Sequence, residues 1–115
     1  RRMILTTDKV SLAGAPADAS LAVGRAQARV VSGAARLPDG TIAGSIISML
    51  DGVRMMVREA GASVGEAALM AASNPAALLG IGERGRLHAG SISDMIVLNA
   101  EMELKSVFVA GREVN

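Results

Sequence analysis

Residues 3–8 read M-I-L-T-T-D: three apolar side chains and two β-branched threonines, a run of strand length with no charge before Asp8. Such a run predicts a fully buried strand with a carboxylate at its C-terminal tip. In a parallel α/β sheet or barrel that tip carries catalytic side chains, because the strand is rigid while the loop after it opens to solvent. Taken alone, an Asp in this place reads more readily as a turn former or a helix cap. The choice between a reactive and a structural carboxylate therefore rests on the residues that follow.

Outward from Asp8, residues 9–18 form a loop, since Gly14, Pro16 and small side chains supply turn chemistry without periodicity. Between residues 20 and 37 short runs alternate with the turn pairs Gly24-Arg25 and Ser32-Gly33. Ala26, Ala28 and Val30 alternate with Gln27 and Arg29 at the two-residue period of a half-exposed strand, which predicts a small antiparallel meander. Next, Ile46, Met49, Leu50, Val53, Met56, Val57 and Ala60 recur at three- and four-residue steps, predicting a helix with Ser45 as N-cap and Gly61 as its stop. Ser63 and Glu66 have the spacing of a capping box for a second helix, and Asn74-Pro75 reads as the cap and first turn of a third. Beyond Gly90 the period changes to strands: Met95–Leu98 is continuously apolar, and Val107 and Val109 lead through a tight Ala110-Gly111 turn to Glu113 and Val114.

Gly40 and Gly44 bracket Thr41, Ile42 and Ala43 just before the first helix. Glycines there let the backbone approach a ligand closely, so a polar ligand could be held by main chain alone; equally, the loop could need only tight turns. It is not a phosphate-binding loop of the G-x-x-x-x-G-K-[ST] kind.

Composition bounds the rest. A chain of 115 residues is one domain's worth, able to bury roughly two-thirds of the surface its unfolded form exposes. Half its residues are hydrophobic, yet Phe108 is its one aromatic, so any core is built from small and aliphatic pieces. The net charge of +1, with Arg25, Arg29 and Arg36 dispersed and without stacking partners, argues against nucleic acid. The absence of cysteine excludes disulfides and thiolate metal sites and points to the cytoplasm. No apolar run approaches the roughly 20 residues of a membrane span. The start at Arg1-Arg2, directly before a buried-type strand and without Met, suggests a piece of something longer.

The order T-T-D-x-x-x-x-A-G-A, then L-P-D-G-T-I-A-G-S with the helix M-L-D-G-V-R, then A-S-N-P-A-x-x-L-G resembles the N-acetylglucosamine-6-phosphate deacetylase family. The tail G-R-L-H-A-G-S-I-S-D-M-I-V-L-N is similar to the closing segment of amidohydrolase-superfamily enzymes generally, with Ser93 where Ala is usual and Asn99 where Asp is common. The resemblance covers nearly the whole chain. It implies an α/β fold: the C-terminal fragment of a metal-dependent (β/α)8 amidohydrolase barrel with strands of a small β-domain. Residues 1–19 would then be the last barrel strand and active-site loop, 20–38 a β-meander insertion, 39–82 the substrate loop and barrel-end helices, and 83–115 the β-domain strands.

The same resemblance implies roles. Asp8 matches the catalytic aspartate, which moves a proton from a metal-bound water to the leaving amine. Ile42, Ala43 and Gly44 match the loop whose main chain contacts the amino sugar. The divalent metal, of zinc or iron type, takes its Glu and His ligands upstream of this stretch; His88 matches none of them, so this chain holds no metal ligand and is expected to be inactive alone. Its partners would be an amino-sugar phosphate substrate and the rest of the barrel, in a homodimer when complete. Asp94 is expected to bind backbone N–H groups where a strand begins, Met49, Met55, Met56 and Met70 to fill the core, and Arg54 and Arg58 to face solvent. Two other readings stand beside this one: an amidohydrolase acting on a cyclic amide, and a non-catalytic α/β binding or assembly module.

Overall fold

The computed structural model describes residues 3–114; Arg1, Arg2 and Asn115, and with them the reading of the chain's basic start, lie outside the described residues. These residues divide into two compact units, one of residues 6–52 and the other of residues 3–5 with 53–114.

In the first unit, β1 (Leu21–Val23), β2 (Ala26–Val31), β3 (Ala34–Arg36) and β4 (Ile42–Ser45) form an antiparallel sheet in sequence order. Its turns follow from local chemistry. Ser32 and Gly33 have φ of +49° and +78°, the two positive values a two-residue hairpin requires to match strand twist. Alternation places Ala28 and Ala35 inward, where they close with Leu12 into a small core flanked by Val10, Leu21, Leu37, Ala43 and Ile46. The glycine-bracketed stretch, read as a loop, is strand β4: Ala35 pairs with Gly44 and Arg36 with Ile42 across a bulge.

The strand expected over residues 3–8 is not formed. Leu5 N–H bonds the Met70 carbonyl at 2.9 Å, and the one parallel bridge nearby joins Lys9 to Ser45. A parallel strand exists only through ladders to its neighbours, and among the described residues none runs beside this stretch. Met3 and Ile4 are accordingly 59% and 40% exposed rather than buried.

Helix α1 (Met49–Arg58) begins later than its apolar period suggests. Ser45 is not its cap, because the Ser45 main chain is engaged in the sheet. Ser48 takes that role: its hydroxyl accepts Asp51 N–H at 3.1 Å while Asp51 Oδ2 accepts Ser48 N–H at 3.0 Å, a reciprocal box of the Ser/Glu type with a shorter acid. Met49 and Met55 are 40% and 46% exposed and so are not core filler.

The second and third helices are one continuous run. α2 (Val64–Ala68) opens with the expected capping box, Ser63 accepting from Glu66 N–H and Glu66 accepting from Ser63 N–H. It passes through a π turn (Leu69–Ser73) into α3 (Asn74–Leu78). Asn74 is therefore not a cap. Its N–H reaches the Leu69 carbonyl five residues back, and its side-chain amide donates to the Met3 carbonyl at 2.7 Å. Pro75 has no N–H to continue an α ladder, so widening at this point sacrifices little.

In the same unit β5 (Met95–Leu98), β6 (Leu104–Val109) and β7 (Arg112–Val114) form an antiparallel sheet. Ala110 and Gly111, with φ of +49° and +77°, make the tight turn read from sequence. Asp94 acts as expected at the start of β5, its Oδ1 accepting Ala110 N–H at 2.8 Å, and it also pairs with Arg84. Arg54 and Arg58 are not a merely solvated face. Arg54 Nε donates to the Met102 carbonyl at 3.0 Å and Arg58 Nη2 to the Glu101 carbonyl at 2.6 Å, so both hold the turn between β5 and β6.

Candidate functional site

Asp8 is exposed and has φ +49°, a region that L-residues other than Asn and Asp rarely occupy. Its main chain is fixed from one side. The Asp8 carbonyl accepts Ser45 N–H at 2.8 Å, the Ser45 carbonyl accepts Val10 N–H at 3.0 Å, and the Ser45 hydroxyl donates to the Thr7 carbonyl. Thr7 Oγ1 in turn accepts Lys9 N–H at 3.2 Å. The carboxylate thus projects from a backbone pinned to the end of β4.

The three residues matched to the sugar-contacting loop sit on that same strand. Ile42 is 60% exposed, Ala43 packs against the small core, and Gly44 is buried with φ +144°. A Cβ on Gly44 would collide with Val10 Cγ1 and come within 3.0 Å of the Asp8 carbonyl oxygen. The glycine is therefore required by the protein's own close approach at Asp8. Ahead of the strand, Asp39 Oδ1 accepts Thr41 N–H at 2.9 Å; that N–H, and then the Thr41 hydroxyl, hold the Asp39 carboxyl below its usual range. Arg36 Nη1 donates to the Gly40 carbonyl at 2.9 Å, shaping the same turn. A hollow of about 420 Å³ bordered by Arg29, Arg36, Leu37 and Gly40 lies on this sheet, but neither Asp8 nor Gly44 lines it.

Asp8 and the Gly44 strand, 36 residues apart in sequence, are thus brought together through main chain. His88 belongs to the other unit and is exposed, with Nδ1 2.7 Å from the Ala89 carbonyl. Among the described residues no three His, Cys, Asp or Glu side chains gather closely enough to hold a metal ion. Chemically, the arrangement offers an exposed carboxylate of fixed origin beside a strand. Sequence reading missed Ser45 as the residue that joins them. The only signal was its place after Gly44, which read as a helix cap.

The amidohydrolase family's sequence profile matches residues 2–114. The chain is 32% identical over 114 residues to the N-acetylglucosamine-6-phosphate deacetylase of Vibrio furnissii, covering 98% of this chain and 28% of that protein. It is 30% identical to a putative N-acetylgalactosamine-6-phosphate deacetylase of Escherichia coli K12, covering 96% of this chain and 66% of that one. Among solved structures, the N-acetylglucosamine-6-phosphate deacetylase of Thermotoga maritima superposes with a TM-score of 0.87 at 30% identity, over 96% of this chain and 30% of the other. A mutant of the Mycobacterium smegmatis enzyme, in complex with N-acetyl-D-glucosamine-6-phosphate, superposes with a TM-score of 0.81 at 32% identity over 97% of this chain and 30% of that one. The chain therefore spans 28% to 66% of the length of these curated relatives. The match over nearly every residue, with the fold to accompany it, means that this chain belongs to the amidohydrolase family.

Proposed function

We propose that the chain is the C-terminal part of a hydrolase that removes the acetyl group from N-acetylglucosamine 6-phosphate, and that Asp8 is its proton-transfer group. The observation that carries this reading is the pinning of Asp8 to β4 by Ser45, which joins the residue matched to the catalytic aspartate to the strand matched to the sugar loop. The relatives' names support the substrate. In the complete enzyme, residues 3–8 are the last strand of a (β/α)8 barrel, residues 9–19 its active-site loop, and residues 20–38 the insertion that delivers β4. Residues 39–82 supply the substrate loop and barrel-end helices, and residues 83–115 the strands of a small β-domain. The enzyme is a cytoplasmic homodimer.

Hydrolysis of the acetamide requires water to add to the acetyl carbonyl, a proton to leave that water, and a proton to reach the departing nitrogen. A single carboxylate within reach of both positions performs both transfers, accepting on Oδ and returning the proton as the C–N bond breaks. Ile42, Ala43 and Gly44 orient the sugar through main chain. The divalent ion that amidohydrolase chemistry uses would take its ligands from residues outside this chain.

The decisive assay is release of acetate and free amine from N-acetylglucosamine 6-phosphate by the complete enzyme. Relatives named for N-acetylgalactosamine 6-phosphate favour the C4 epimer as a second substrate reading. Comparing kcat/KM for the two sugars separates the readings, and hydrolysis of neither removes both.

A further inference from the structure

A positive φ at a non-glycine residue persists where neighbouring structure over-determines it, and at Asp8 that structure is almost entirely Ser45. Two of the Ser45 bonds, N–H to the Asp8 carbonyl and carbonyl to Val10 N–H, use main chain and would survive any side chain at this position. The third belongs to serine itself: the hydroxyl donates to the Thr7 carbonyl, the other end of the peptide that leads into Asp8. The Thr7 hydroxyl plays a different part, accepting Lys9 N–H at 3.2 Å. Gly44, with no Cβ to separate the segments, lets Ser45 come close enough to bind on both sides of Asp8.

We propose that Ser45 is the positioning residue for Asp8: its hydroxyl fixes the Thr7–Asp8 peptide, so that the strand facing the sugar also sets where the carboxylate originates. This rests on Asp8 being the proton-transfer group. Ser45 itself touches no reacting atom. Its effect is on the height of the chemical barrier through the placement of one carboxylate, and a misplacement of a fraction of an ångström is felt in kcat before it is felt in substrate binding.

The test is kinetic and uses the complete enzyme with N-acetylglucosamine 6-phosphate. Ser45→Ala should lower kcat roughly tenfold with KM within about twofold, and Ser45→Thr, which keeps a hydroxyl, should recover most of the loss. In an Asp8→Asn background, Ser45→Ala should change kcat by less than about twofold, because no carboxylate remains to be placed. A tenfold loss repeated on top of Asp8→Asn would make Ser45 merely structural and overturn the proposal, as would an unchanged kcat or a loss confined to KM. Should Ser45→Ala fail to fold, Ser45→Cys, of similar shape but a weaker donor, is read by the same criteria. Near-normal turnover by Asp8→Asn, measured with Ser45 intact, instead removes the reading beneath the proposal and overturns both.

Discussion

Asp8 and Gly44 fail in different ways when altered, and the difference is measurable. Asp8→Asn keeps size and the tolerance for positive φ but cannot accept a proton at neutral pH, so kcat in the complete enzyme should fall by at least the ~10² typical of general acid–base groups. Metal content, measured by elemental analysis, should be unchanged. Gly44→Val meets Val10 and the Asp8 carbonyl at a φ of +144°, and strain with overpacking of this kind costs about 1–3 kcal/mol. Denaturant unfolding should therefore report lower stability, and kcat should fall along with any rise in KM. A rise in KM alone, at unchanged stability, would mean that the space at Gly44 belongs to the ligand instead.

Among elements, the helical run from Val64 depends on its first turn. Glu66 has its pKa held below the ordinary 4.5, first by Ser63 N–H and then by the Ser63 hydroxyl. A carboxyl whose folded pKa is depressed contributes stability above its unfolded value, and that contribution is lost as pH falls through the folded value. The start of α2 should accordingly hold above pH 4.5 and fray in more acidic solution, seen as loss of Glu66 amide protection in an NMR titration. Ser63→Ala should cost about 1 kcal/mol by thermal unfolding at neutral pH. This cap was legible in the sequence, as were the meander and the Ala110-Gly111 hairpin, because their signals lie within four residues of one another. What depended on distant partners was not. Residues 3–8 have the composition of a strand but no ladder beside them. Ser45 and Ser48 are equivalent as letters, and only the pairing of Ser45 with Asp8 leaves Ser48 to cap α1. Arg54 and Arg58 have the one-turn spacing of an exposed face, and nothing local announces that two carbonyls 43 to 48 residues away will take them up.

For the whole chain the governing quantity is exposed apolar surface. Leu78, Leu79 and Leu87 are 75%, 70% and 82% exposed, and Met3 and Ile4, 59% and 40% exposed, lie on a segment that no described strand ladder covers. An apolar segment without a ladder partner templates pairing with another chain. In sedimentation equilibrium the 115-residue chain should show an average mass above 11.7 kDa that grows with concentration, and Ile4→Lys should reduce the association. A monomer at every concentration would favour the independent-module reading. The barrel proposed for the complete enzyme was read only through resemblance, since no periodicity in this chain distinguishes one strand of a closed sheet from an isolated apolar run.

The π turn at Leu69–Ser73 has a consequence for length changes. It accommodates one residue more than an α turn would, and each residue advances a helix by about 100°. Deleting Ala71 or Ala72 would regularise the helix, and by propensity alone it would look like an improvement. It would also rotate everything downstream by that angle, carrying the Asn74 amide away from the Met3 carbonyl. The irregular turn thus sets the phase of the helix, and a shortened chain with the more ideal helix should lose the Asn74 bond to the Met3 carbonyl while keeping that of Leu5 to Met70.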